Sequence, residues 1–124
     1  MPSARPKYLN LMQIRLPLPA LVSIMHRASG AALFLFLPFL LWLFQSSLES
    51  AESFARLKVV LSNWAVKIVV IGLLWGYLHH LCAGIRHLAL DFDQGTELAA
   101  ARATSKAVLA VSIGLTVVAG VILW

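Results

Sequence analysis

The sequence predicts an all-α integral membrane protein in which three transmembrane helices form a bundle. Of its 124 residues, 60% are hydrophobic and only 12% are charged, and the mean hydropathy is +0.86. A soluble domain carries about 25% charged residues, so this composition excludes an ordinary soluble protein. The chain contains three apolar stretches, and each has close to the roughly 20 residues that a bilayer-spanning helix needs. We therefore expect one transmembrane domain over residues 1–124 and no separate extramembrane domain.

The charged residues predict how the chain lies in the membrane. The net charge is +5, and most of the ten Lys and Arg residues lie at span ends, where they set orientation rather than bind nucleic acid. The expected location of this multi-pass protein is the bacterial inner membrane. Seven of the basic residues lie on the N-terminal side and three on the other, which in such a membrane predicts a cytoplasmic N-terminus. The polar, proline-rich start argues against a cleavable signal peptide. The single cysteine excludes an internal disulfide.

Apolar segments and turn residues predict where the spans and loops lie. The expected spans are residues 20–45, 63–90 and 105–124. Pro38 falls inside the first span and is expected to kink it, which membrane helices tolerate. In the first loop, the spacing of Phe54, Leu57 and Leu61 predicts a short amphipathic helix at the interface. Gly95 indicates a turn in the second loop.

The start of the first span carries a group of polar residues. Ser23, Arg27 and Gly30 share one helix face, and His26 lies beside it. A hydroxyl and a guanidinium at the membrane edge can hydrogen-bond a quinone carbonyl and stabilise negative charge on the quinone. Alternatively, Ser23 caps the helix and Arg27 contacts a lipid phosphate. The residues alone favour this second interpretation slightly.

The end of the second span holds three of the four histidines. His80 belongs to a series at four-residue intervals, formed by Gly72, Gly76, His80 and Gly84. Such a series is typical of a small-residue packing face. It also suits a flat macrocycle, because side chains at the glycine positions would collide with it. His80 is then either a hydrogen-bonding residue between helices or an axial ligand of haem b, which takes neutral imidazoles.

This chain supplies one axial ligand at most. His80 and His87 lie about 10 Å apart along one helix face, and His79 points about 100° away from His80. His26 stands on another helix, where it suits a haem propionate better. We therefore expect the second ligand to come from a partner chain, in an obligate hetero-oligomer. The basic groups available to the propionates are His26, Arg27, Arg86 and His87.

Two segments together carry a specific double motif. They are Arg5-Pro6, Pro17 and Ser23-Ile24-Met25-His26-Arg27-Ala28-Ser29-Gly30, and then His80-Leu81-Cys82-Ala83-Gly84-Ile85-Arg86-His87-Leu88 with Asp91. This double motif resembles the cytochrome b subunits of succinate dehydrogenase, which are membrane anchors of respiratory complex II. The resemblance covers essentially the whole chain, including its length and its three spans.

The resemblance implies an assembly and a reaction. In this family, two small anchor subunits of three helices each bind an iron–sulfur subunit and a flavoprotein subunit. Electrons from succinate pass through the flavin and the iron–sulfur clusters to ubiquinone, and haem b lies between the anchors with one histidine from each. The chain is therefore expected to be a subunit of an oxidoreductase and inactive alone.

The resemblance also implies roles for individual residues. His80 matches the axial ligand of the haem iron, four residues before Gly84. Ser23 and Arg27 match the quinone-binding residues. The haem contacts that it implies, including those to the propionates, are His26, Arg27, Gly84 and His87.

Three alternatives remain open at this point. The same scaffold fits the anchor of a quinol:fumarate reductase, which runs the reaction in reverse. A haem-free structural anchor would keep the glycine stripe, and a small transporter would need an ionisable group deep in a span. Neither of these last two accounts for Ser23, His26, Arg27 and His80 together.

Overall fold

The structure, a computed structural model that describes residue 10 and residues 12–124, consists of helices and contains no strand in that part of the chain. The helices are α1 (Leu18–Glu49), α2 (Ala51–Ser62), α3 (Trp64–Asp91) and α4 (Leu98–Leu123). The helices α1, α3 and α4 are long and apolar enough to cross a membrane. The predicted all-α fold with three spans is confirmed.

Pro17 and Pro19 determine where α1, the first span, begins. Pro17 has extended backbone angles at the N-cap, and Pro19 occupies the first turn, where no backbone N–H is needed. The helix continues through Pro38 and ends at Glu49, four residues later than predicted. Of the polar, proline-rich start, residues 1–9 and residue 11 lie outside the described part of the chain.

The amphipathic helix predicted in the first loop is confirmed as α2. Ser50 caps it, since its Oγ accepts a hydrogen bond from the Ser53 backbone N–H at 3.0 Å. The buried Ser53 hydroxyl donates to the Ser46 carbonyl of α1 at 2.9 Å, and Leu57 is buried on the same side. These contacts fold α2 back onto the end of α1.

The second loop is shorter than predicted. It comprises residues 92–97, because α4 begins at Leu98 and not near residue 105. Alanine has the highest helix propensity of all residue types, so the run Ala99-Ala100-Ala101 extends the helix toward the loop. The loop turns at Asp93 and Gly95, which have positive φ angles of 57° and 76°, so the predicted turn at Gly95 is confirmed.

Two neighbouring faces of α3 serve different contacts. His79, Ala83 and Arg86 recur at spacings of four and three residues, so they share one face, and all three are buried. Ala83 packs against Val22 of α1 and Val108 of α4. The adjacent face begins at His80 and carries the polar residues described below. The helix α3 is thus the element on which both α1 and α4 pack.

With three spans, α2 and the second loop must lie on opposite membrane faces. We expect a cysteine replacing Glu52 and one replacing Gln94, each in a Cys82→Ala background, to react with a membrane-impermeant thiol reagent from opposite sides. Both positions are exposed. The measurement is labelling of sealed vesicles before and after permeabilisation. Labelling of both cysteines from one side would contradict the three-span topology.

Candidate functional site

A cavity of about 380 Å³ with mainly apolar walls and several polar side chains opens between α3 and the start of α1. Its polar lining consists of His26, His80, His87 and Asp91, with Gly84 at its wall. The α3 residues among them are His80, Gly84, His87 and Asp91. Their spacings of four, three and four residues place them on one helix face. The structure therefore brings together four residues that the sequence marked as candidates: His26, His80, Gly84 and His87.

His80 is held by α1 through one of its two ring nitrogens. Its Nδ1 lies 3.0 Å from the His26 carbonyl oxygen and 3.3 Å from Ser29 Oγ. The Ser29 hydroxyl donates to the same His26 carbonyl at 2.9 Å. The tautomer assigned from these contacts carries its proton on Nδ1, which donates to the carbonyl and leaves the Nε2 lone pair free. Histidines that bind metals are commonly oriented by such a backbone contact.

The other two histidine rings surround His80 without forming a complete metal site. The His26 ring stacks on the His80 ring with a centroid separation of 4.1 Å, and it lies 5.0 Å from the His87 ring. Across residues 10 and 12–124, no three His, Cys, Asp or Glu side chains converge to hold a metal ion. The nitrogen His87 Nε2 is buried and has no hydrogen-bond partner among the described residues. The cavity therefore offers one free imidazole nitrogen from His80 and a nearby polar atom that lacks a partner.

Gly30 allows α1 to approach the His80 ring. A Cβ at this position would lie 2.8 Å from His80 Cε1, which is closer than real Cβ contacts. At Gly84 a Cβ would lie 3.6 Å from His26 Nε2, an ordinary van der Waals distance. From the sequence, Gly30 was assigned only to the helix face of Ser23, and its contact with His80 was missed. Gly30 lies one helical turn after His26, and this spacing could have indicated that it faces the histidines.

His79 lies outside this cavity although it adjoins His80 in sequence. Its side chain is fully buried on the neighbouring face of α3, and its ring lies 5.4 Å from the Trp75 ring. Neither nitrogen of His79 has a hydrogen-bond partner within the described chain. Consecutive residues of a helix point about 100° apart, which accounts for the different surroundings.

The remaining candidate residues lie apart from the cavity lining. Ser23 is half-buried and Arg27 is exposed on the first turns of α1. Arg86 was predicted as a possible contact of the haem propionates. In the structure it is directed to α4, where its Nε donates to Thr104 Oγ1 at 3.1 Å. Asp91 lines the cavity but was not selected from the sequence, although its spacing from His87 and His80 was a usable signal.

Comparison with known proteins gives the family. Residues 1–119 match the succinate dehydrogenase/fumarate reductase transmembrane subunits. The chain belongs to this family. It is 39% identical to the succinate dehydrogenase cytochrome b556 subunit of Coxiella burnetii over 100% of both chains. It is 36% identical to the protein of the same name from Paracoccus denitrificans, over 91% of this chain and 87% of that one. The resemblance drawn from the double motif is confirmed.

We expect Gly30→Ala to destabilise the contact between α1 and α3. The added methyl group meets the His80 ring, which is fixed by its own hydrogen bond, and overpacking of this kind costs about 1–3 kcal/mol. The measurement is the thermal midpoint of the purified assembly, which should fall. Gly114→Ala is the matched control, because a Cβ at that helical position meets nothing within 4 Å. Equal midpoints for both variants would contradict the proposed close contact.

Proposed function

We propose that this chain is the haem b-binding membrane-anchor subunit of a succinate:ubiquinone oxidoreductase. In this role it anchors the iron–sulfur and flavoprotein subunits to the membrane and contributes to the quinone site. The observation that carries the proposal is the His80 ring, oriented by the His26 carbonyl with Nε2 free beside a cavity lined by three histidines, in a chain of this family. Catalysis of succinate oxidation belongs to the assembled complex.

The residues of the cavity fit haem b. His80, with Nδ1 bound to the His26 carbonyl, would hold the haem iron through Nε2. The Nε2 of His87, which lacks a partner in the described chain, and the ring of His26 would supply polar contacts for the propionates. Gly84 adds no side chain to the cavity wall. When bound, haem b supplies a one-electron carrier within the membrane domain.

The second axial ligand is proposed to come from a second small anchor subunit. His80 and His87 stand on one face of one helix, so they cannot lie on opposite sides of the same iron. His79 is enclosed on another face of α3. A partner helix that covers the cavity would complete the iron coordination and remove the half-buried histidine rings from lipid, where exposed polar groups are unfavourable.

Ser23 and Arg27 are proposed to bind ubiquinone. They are one helical turn apart near the start of α1, on the membrane face that carries the larger share of positive charge. That face is proposed to be the cytoplasmic one, where the iron–sulfur subunit docks. The hydroxyl can donate to a quinone carbonyl, and the guanidinium can stabilise negative charge on the ring during reduction. Neither side chain has a hydrogen-bond partner in the described part of the chain, which leaves both available.

The family description also includes fumarate reductases, which run the same chemistry in reverse. The names of the Coxiella burnetii and Paracoccus denitrificans relatives favour succinate oxidation. A haem-free structural anchor is less well supported, because packing alone does not require the oriented imidazole of His80.

The axial ligand is tested by the reduced-minus-oxidised visible spectrum of the purified complex. We expect His80→Ala to lose or strongly alter the low-spin b-type signal, because the iron loses a ligand from this chain. His79→Leu is the control, since it changes the adjacent residue on another face of the helix. Loss of the signal in the His79 variant alone would assign the axial ligand to His79 instead of His80. An intact wild-type complex without haem would overturn the cytochrome assignment.

The quinone contacts are tested by steady-state kinetics with succinate and a soluble ubiquinone analogue. We expect Ser23→Ala and Arg27→Ala each to lower kcat/KM for the quinone about tenfold, since each removes about 1.5 kcal/mol of hydrogen bonding. Succinate oxidation by an artificial acceptor that takes electrons before the quinone should stay unchanged. Ser47→Ala, at the other end of α1, is the control. Unchanged quinone kinetics in both variants would exclude the assigned role.

A further inference from the structure

A second cavity of about 350 Å³ runs as a groove between the end of α3 and the start of α4. It lies mainly on a different face of α3 from His80, although Ile85 borders both cavities. Its walls are mainly apolar and include Ile85, Ala89 and Val111. Arg86, Gln94 and Thr104 are the polar residues along it, and Arg86 is the charged one. An apolar groove that contains one cationic side chain fits a ligand with an apolar tail and an anionic head.

Arg86 has no acidic partner within the described chain. Its side chain is 7% exposed, and its Nε donates to Thr104 Oγ1 at 3.1 Å. In residues 10 and 12–124 the only ion pair joins Arg56 to Glu52. A guanidinium has five N–H donors, so this contact leaves four for a ligand. A buried charge without a counter-charge is strongly unfavourable, which favours an anion in the groove.

Arg86 lies near the end of α3, five residues before the last residue of the helix and about 7.5 Å along its axis. Arginine side chains near the ends of membrane helices reach the headgroup region. On α4, Val111 lies seven residues beyond Thr104 and thus about 10 Å deeper. The groove therefore leads from the cation at the interface into the apolar layer.

The geometry points to an acidic phospholipid as the occupant, with its phosphate on Arg86 and an acyl chain along the groove between α3 and α4. The net negative charge of such a lipid matches the unpaired guanidinium better than a zwitterionic headgroup does.

The headgroup contact is tested with the purified, delipidated complex, titrated with phosphatidylglycerol or phosphatidylcholine and analysed by native mass spectrometry. We expect the wild type to bind phosphatidylglycerol about fivefold more tightly, and Arg86→Gln to lose this preference. Arg86→Lys should retain most of it, because the positive charge remains. Arg102→Gln is the matched control, since this exposed α4 arginine does not line the groove.

The acyl-chain contact is tested by filling the groove. We expect Val111→Trp to weaken phosphatidylglycerol binding several-fold, whereas Ile113→Trp, at an exposed α4 position outside the groove lining, should not. If the Arg86→Gln complex fails to assemble, the comparison of Val111→Trp with Ile113→Trp decides whether the lipid binds in the groove. Equal binding of both lipids by the wild type would overturn the proposal. A carboxylate of another subunit paired with Arg86 in an experimental structure of the complex would also overturn it.

Discussion

A polar group inside a membrane helix bundle must find its partner within the protein, because hydrocarbon offers no hydrogen bonds. The hydrogen bond from His80 Nδ1 to the His26 carbonyl is the main example here. It joins α1 to α3, fixes which ring nitrogen is free, and requires the close helix approach that Gly30 permits. The packing of the first two spans and the chemistry of the cavity thus depend on the same contact.

The helix α3 separates two kinds of polar site by helical geometry alone. One face turns His80 and His87 toward α1, and the next turns His79 and Arg86 toward the inside of the bundle and α4. Adjacent residues in sequence therefore have unrelated surroundings. The proposed haem site and the proposed lipid groove therefore use largely different side chains of one helix, and Ile85 lies at the border of both.

The buried hydroxyls of α4 show how the same constraint is met where no ligand is expected. Ser105, Ser112 and Thr116 each donate to a carbonyl one turn earlier on their own helix. Their polar groups are satisfied locally, and their small size allows close packing. By contrast, His87 Nε2 is buried without a partner, and Arg86 lacks a counter-charge among the described residues. These two groups border the two cavities on which the proposals above rest.

The sequence by itself determined the fold class, the three spans and the face of α3 that carries His80, because hydrophobic length and residue spacing are local properties. It also identified the family through two motifs. It misplaced the start of α4, since the third span was predicted to begin near residue 105 and the alanine-rich run before it is already helical. Only the tertiary structure decided that Arg86 faces α4, that Gly30 contacts the His80 ring, and that the His26 backbone orients this ring. Those facts depend on how two helices approach each other, which spacing along one helix does not specify.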